Sequence, residues 1–324
     1  MGRRSVNLLR KTMIPAMDIK MASLDVAGTS ALAGALTRLT PEICFNWNYT
    51  TCSDPVFSNI SAGGTAADGV MADGDTIAGT FFGPNGEVYG ASGVSVGAFT
   101  AAGKAIQVDG ARVTPDTGGT AAGLDIQVDA VTAANVGIQL IPGAGPVGGS
   151  SALTVGTHSG YIDVTFHTPD WSDFDCVTIG WRKVEEFQTA LNGIQAAGGT
   201  GDVVYTDIVG FGAMTDTDLR IQTDLNGSGT STLTNCGASV PVDNQNLRLR
   251  VSVSDEGVVT YAFVVNEAAG EGTLAEPATV VAYTFDDGDV IVPYIASLCV
   301  ASASDQLMVK SIQVKKAPGT SYAS

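Results

Sequence analysis

The chain has 324 residues, 44% of them apolar and only 15% charged, with 40 Gly and 25 Asp against 8 Glu and 7 Lys. Glu and Lys populate the solvent faces of helices whereas Gly and Asp mark turns, so this composition excludes a helical bundle and a sheet covered by amphipathic helices. The formal net charge of −17 is unevenly placed: residues 1–40 carry six Lys/Arg against two Asp, net +4, and the rest carries ten against thirty-one, net −21. A body of that charge repels nucleic acid and anionic membrane, since binding to either requires clustered cations.

Residues 1–40 read as a docking arm with short helical pieces. Val6, Leu8, Leu9, Met13, Met17 and Met21 recur at mixed three- and four-residue spacings, and Ser30-Ala-Leu-Ala-Gly-Ala-Leu is a second piece. Pro15 interrupts the first pattern near its middle, which favours two short segments over one helix. Arg3, Arg4, Arg10 and Lys11 beside Leu8, Leu9, Met13 and Met17 give the arm a cationic, adaptable apolar contact surface. No apolar run reaches the ~18–20 residues of a transmembrane helix. Lys20 and neighbouring charges break up any secretory core, so export by the common route is not expected.

From 41 to 324 the pattern changes to strands. Thr76-Ile-Ala-Gly-Thr-Phe-Phe, Lys104-Ala-Ile-Gln-Val-Asp, Gly123-Leu-Asp-Ile-Gln-Val-Asp and Val136-Gly-Ile-Gln-Leu-Ile alternate or run apolar between Gly/Asp/Thr clusters. The first half, 41–159, is rich in Gly, Ala and Thr, which predicts short or loosely packed strands. Tyr161-Ile-Asp-Val-Thr-Phe-His alternates cleanly, placing Tyr161, Asp163, Thr165 and His167 on one face and Ile162, Val164 and Phe166 on the other. Further strands are expected at Cys176–Lys183, Asp202–Gly212, Asp218–Thr223, Asn246–Val253, Val258–Val265, Asp289–Ile295 and Leu307–Val314. Asp255-Glu-Gly is read as a tight turn closing a hairpin. Val184–Ile194 reads as one helical turn or a loop. Strands every ten to fifteen residues with turn-type connectors predict an all-β antiparallel sandwich.

The candidate chemistry is sparse. Asp286, Asp287 and Asp289 around Gly288, and Asp73 and Asp75 around Gly74, are hard-oxygen clusters of the kind that hold calcium, but neither extends to a full loop with its distant Glu. Asp-Gly turn chemistry explains both equally well, and no other cofactor is indicated. Glu185-Glu186 is an adjacent carboxylate pair. Neighbours on a strand point to opposite faces, so it does not by itself flank one sugar bond. His158 and His167 are the only histidines, and no nucleophile-elbow motif accompanies them. Gly143-Ala-Gly-Pro-Val-Gly-Gly lacks the Lys and helix of a phosphate loop and reads as a turn. Trp181 lies in an apolar strand and belongs to a core. Trp171, between Pro169-Asp170 and Ser172-Asp173, is the single best sugar-contact candidate, against the commoner packing role of tryptophan. The five cysteines contain no CxxC pair; either Cys44 and Cys52 bridge a small loop or all remain free buried thiols, the reading that cysteine's habit of burial favours.

Three stretches carry a resemblance over 160–316: Asp175-Cys-Val-Thr-Ile-Gly-Trp-Arg-Lys, the hairpin Leu247-Arg-Leu-Arg-Val-Ser-Val-Ser-Asp-Glu-Gly-Val-Val-Thr-Tyr-Ala, and Asp286-Asp-Gly-Asp-Val-Ile-Val-Pro-Tyr-Ile with Val309-Lys-Ser-Ile-Gln-Val. Their order resembles the concanavalin A-like lectin/glucanase jelly roll, as found also in virion structural proteins of tailed phages. The glucanase E-x-D-x-x-E strand and the legume-lectin calcium loop have no match, so the resemblance implies the fold and carries over no site. Together with the split charge it implies a non-enzymatic, homo-oligomeric virion protein of decoration or protruding type. Its arm would grip other virion proteins and copies of itself. The alternative expectation is a carbohydrate-binding adhesin contacting host glycans, with neither nucleic acid nor membrane as partner.

Overall fold

The computed structural model describes residues 42–48, 51–52, 56–57, 70–72, 76–84, 88–99, 105–107, 112–113, 123–125, 136–145, 148–167, 176–185, 205–212, 218–227, 232–238, 245–265, 273–299 and 308–318. The arm residues 1–40, Trp171, Glu186 and the Asp73/Asp75 pair lie outside these.

Every element among the described residues is a strand. In chain order they are β1 (Glu42–Asn48), β2 (Val56–Phe57), β3 (Val70–Ala72), β4 (Thr76–Phe82), β5 (Val88–Phe99), β6 (Ala105–Gln107) and β7 (Arg112–Val113). Next come β8 (Gly123–Asp125), β9 (Val136–Pro142), β10 (Ala144–Gly145), β11 (Gly148–Gly149), β12 (Leu153–Thr154), β13 (His158–His167) and β14 (Cys176–Lys183). The series closes with β15 (Ile208–Phe211), β16 (Arg220–Asp224), β17 (Thr232–Asn235), β18 (Asn246–Val253), β19 (Val259–Val265), β20 (Val290–Cys299) and β21 (Met308–Pro318).

Two large antiparallel sheets result. The seven-stranded sheet runs β19-β18-β13-β21-β8-β7, with β1 also paired to β21. The ten-stranded sheet runs β17-β16-β15-β14-β20-β9-β5-β4-β2, with β12 beside β20. Strands distant in sequence lie side by side, as in β13–β21 and β14–β20, which is the crossing connectivity of an antiparallel sandwich. The all-β sandwich expected from the sequence is therefore the observed architecture.

The main core cluster among the described residues lies between the sheets. From the seven-stranded sheet, Ile162, Val164, Phe166, Leu247, Leu249, Val251, Ile312 and Val314 point inward; from the ten-stranded sheet come Val177, Ile179, Trp181, Val209, Phe211, Ile221 and Ile295. Each set is the alternate-residue face of its strand, so burial follows directly from period-two patterning. Trp181 is fully buried and its Nε1–H donates to the Val251 carbonyl at 3.0 Å, a polar link across the interior between sheets. The β18–β19 hairpin closes through Gly257 at φ 81°, where a side chain would also be strained. Cys44, Cys52 and Cys236 are buried and form no disulfide among the described residues. Ala144 and Gly145 pair with Gly149 and Gly148 as β10 and β11.

Candidate functional site

The strand β13 sits between β18 and β21, and its outward residues are the four that the alternation in the sequence places together. Across the outer face of the seven-stranded sheet, cross-strand pairing arranges side chains in rows. The first row reads Thr260, Ser252, Tyr161, Lys315; the second Ala262, Arg250, Asp163, Gln313; the third Val264, Arg248, Thr165, Ser311. Directly opposed and diagonal residues on one face lie close enough to interact, and around Asp163 and Tyr161 they do.

Asp163 is the hub of the second row. Its carboxylate is buried and accepts from Arg248 Nε at 2.9 Å and Arg248 Nη2 at 3.2 Å, and from Arg250 Nε at 2.7 Å and Arg250 Nη2 at 2.6 Å. Two guanidiniums against one carboxylate leave a net positive charge, and both arginines remain partly exposed. The Arg250 guanidinium also lies 4.3 Å from the centroid of the Tyr161 ring, a cation–π contact that fixes both groups. The Tyr161 hydroxyl donates to Gln313 Oε1 at 2.6 Å, and burial pushes it above the usual tyrosine range while Arg250 pulls the other way.

Beside this network the first row opens into a groove of about 420 Å³, within the size range of small-ligand sites. Ser159, Tyr161, Ser252, Ser254, Thr260 and Lys315 supply its polar lining. Three serines, a threonine, Tyr161 and Lys315 are thus among its lining residues, no carboxylate-bearing residue is, and the surface it exposes is mostly apolar. The far end of the same face is closed: Thr165 and His167 are buried. His167 Nδ1 pairs with Asn246 Oδ1 at 3.0 Å, and because that amide oxygen only accepts, Nδ1 carries the hydrogen. Burial lowers the His167 pKa, so the ring stays neutral at neutral pH.

The other sequence candidates fall elsewhere. Asp286–Asp289 is a turn in which the Asp289 amide donates to the Asp286 carbonyl at 3.1 Å, with Gly288 at φ 86°. Lys183 Nζ sits 2.6 Å from Asp289 Oδ1, and this bond raises the lysine pKa. Among the described residues no three His, Cys, Asp or Glu side chains gather as a metal-ligand group. Glu185 accepts from the Thr206 amide at 3.1 Å, and burial raises its pKa. His158 lies on β13, where its Nδ1 accepts from the Thr154 amide at 3.2 Å. Trp47 and Trp181 are core residues. On the outer face of the ten-stranded sheet, the buried Arg182 guanidinium lies 4.2 Å from the Tyr205 ring centroid. The Tyr205 and Tyr294 hydroxyls both donate to Gln139 Oε1.

Sequence reasoning placed Tyr161 and Asp163 on one face but did not single out Ser159, Ser252, Ser254, Thr260 or Lys315. Their only signal was outward register on neighbouring strands, and that neighbourhood becomes visible only once β13, β18, β19 and β21 are paired.

No family model matches the chain, and no curated protein sequence matches it. Among solved structures it is similar to peanut lectin with a nine-residue peptide, at TM-score 0.44 and 10% identity, covering 76% of this chain and 100% of that one. A lectin from Bauhinia forficata in complex with GalNAc gives TM-score 0.41 and 12% identity, covering 86% and 99%. A protein of unknown function from Shewanella oneidensis MR-1 gives 0.40 and 10%, covering 91% and 96%. The sandwich itself rests on the sheet pairings given above.

Proposed function

We propose that this protein is a carbohydrate-binding adhesin that holds a saccharide against the outer face of its seven-stranded sheet and does not transform it. The observation that carries this reading is the groove lining: its exposed surface is mostly apolar, with Tyr161 among the residues that form it, and Ser159, Ser252 and Thr260 line it with side chains able to donate and accept. That combination matches the alternating C–H and O–H surface of a sugar. Hydrolysis by the common route needs two carboxyl groups roughly 5–9.5 Å apart across the scissile bond, and the groove lining contains none. The buried carboxylate nearest in register, Asp163, is held by two arginines.

The test is binding to a panel of immobilised neutral and acidic glycans, read for the wild type, Tyr161→Ala, Thr260→Val and Trp171→Ala. Loss of at least tenfold in apparent affinity in Tyr161→Ala, with retained folding, supports the groove. Loss confined to Trp171→Ala moves the sugar to a different surface, and no binding across the panel refutes the adhesin reading.

A second reading is favoured by the charge split of +4 over residues 1–40 and −21 beyond: a capsid-associated structural protein of a phage virion, docked on other virion proteins by Arg3, Arg4, Arg10, Lys11, Leu8, Leu9, Met13 and Met17. Repetition of the same arm contact over a symmetric particle would add avidity. The two readings are compatible on a particle surface. Deleting residues 1–38 should leave the sandwich folded and abolish its incorporation into particles. A truncated chain that is incorporated as well as the full one contradicts this reading.

A further inference from the structure

The charges around the groove point to a narrower ligand class. The chain is strongly acidic, at −17 overall, yet the three described outer-face rows carry Arg248, Arg250 and Lys315 against the single carboxylate of Asp163. Asp163 is shared by both guanidiniums. Lys315 lines the groove. The register sets Lys315 directly across from Tyr161, whose ring the Arg250 guanidinium covers, so both cationic residues neighbour the same aromatic residue. Asp255 and Glu256, in the adjoining hairpin turn, are not among the lining residues. At physiological ionic strength the screening length is about 8 Å, so a ligand in the groove senses these local cations more than the distant acidic surface.

We propose that the groove selects acidic saccharides, with Lys315 contacting a carboxylate or sulfate of the sugar and Arg250 reinforcing the local positive potential. This rests on the adhesin reading and names its ligand class. Surrounding acidity then serves specificity, because a polyanion is repelled wherever the groove does not hold it.

Matched polymer pairs test it: polygalacturonate against its fully methyl-esterified form, and dextran sulfate against dextran. Retardation of the full-length protein in affinity gels containing each polymer gives the dissociation constants. The expected result is at least tenfold tighter binding to the acidic member of one or both pairs, the pair that responds identifying carboxylate or sulfate. Lys315→Gln should lose about tenfold, roughly 1.4 kcal/mol, and Lys315→Arg should retain binding. Arg220→Gln, which removes a cation paired with Asp218 on the other sheet, should change nothing. Equal binding to charged and neutral members, or an equal loss in Arg220→Gln, overturns the selectivity while leaving the adhesin reading standing if neutral glycans bind. Absence of binding to all four polymers also overturns it, and the glycan panel then decides the adhesin reading separately.

Discussion

At the scale of single residues, two buried groups report on how the sandwich balances polarity. Tyr261 points into the core, its ring packing edge-on to Phe211 at 5.8 Å, and its hydroxyl is buried without a hydrogen-bond partner among the described residues. A desolvated hydroxyl left unpaired costs about 1–3 kcal/mol, and burial drives its pKa well above the usual range. Tyr261→Phe should therefore raise stability by about 1 kcal/mol in urea unfolding; a loss of similar size would show that the hydroxyl does bond in solution. His167 is the second. Its folded pKa is lowered from 6.5 chiefly by burial, with Lys310 adding to the effect against the Asn246 hydrogen bond. The unfolded chain then binds more protons than the native one as the pH falls below 6.5, so stability declines in that direction. The fall in unfolding midpoint between pH 7 and pH 5 should be shallower in His167→Gln than in the wild type. An identical pH slope in both proteins contradicts this assignment.

At the scale of elements, the strands that were legible are those with one wet and one dry face. In β13 and β18 the alternation of Ile162, Val164 and Phe166 with Asp163 and Thr165, and of Leu247, Leu249 and Val251 with Arg248 and Arg250, states the register outright. The hairpin from β18 to β19 was legible for the same reason, with Asp255-Glu-Gly as its turn. The twelve-residue β5 was not, because Val88–Phe99 spends its positions on Gly, Ala and Ser, which carry little periodic hydrophobic signal. Nor was β1, whose Phe45 and Trp47 are core residues set opposite β21. Of the strand expected at Asp202–Gly212, the described residues 205–212 hold the short β15 at Ile208–Phe211. Pro293 lies within β20 yet is tolerated, because on the side away from β14 the neighbours pair only at Val290–Ile291 and from Ile295 onward. The missing N–H therefore falls in a gap between partners. Gly180 and Gly210 face each other across β14 and β15, and a Cβ on Gly180 would stand 2.6 Å from the Gly210 Cα. Gly180→Ala should cost about 2–3 kcal/mol by forcing those backbones apart, measured as a drop in unfolding free energy. A change within ±0.5 kcal/mol would mean that the strands can separate freely.

At the scale of the whole molecule, an apolar layer between two sheets leaves two outward faces. The outer face of the seven-stranded sheet combines hydroxyls, an aromatic ring and more cations than carboxylates in an otherwise acidic chain. Composition and spacing announced the sandwich, because turn-rich, Glu-poor and Lys-poor sequences have few other ways to bury 44% apolar residues. The groove was out of reach for a physical reason: Ser159, Ser252, Thr260 and Lys315 come from four strands and meet only through long-range pairing. No local motif encodes such a meeting, whereas Trp171 stood out locally because an aromatic between turn residues is conspicuous on its own. The most direct measurement is a map of backbone amide hydrogen exchange with and without a saturating acidic oligosaccharide. Slowed exchange concentrated in 159–161, 252–260 and 313–317 is the predicted result. Protection confined to the ten-stranded sheet, with these segments unchanged, would contradict the account.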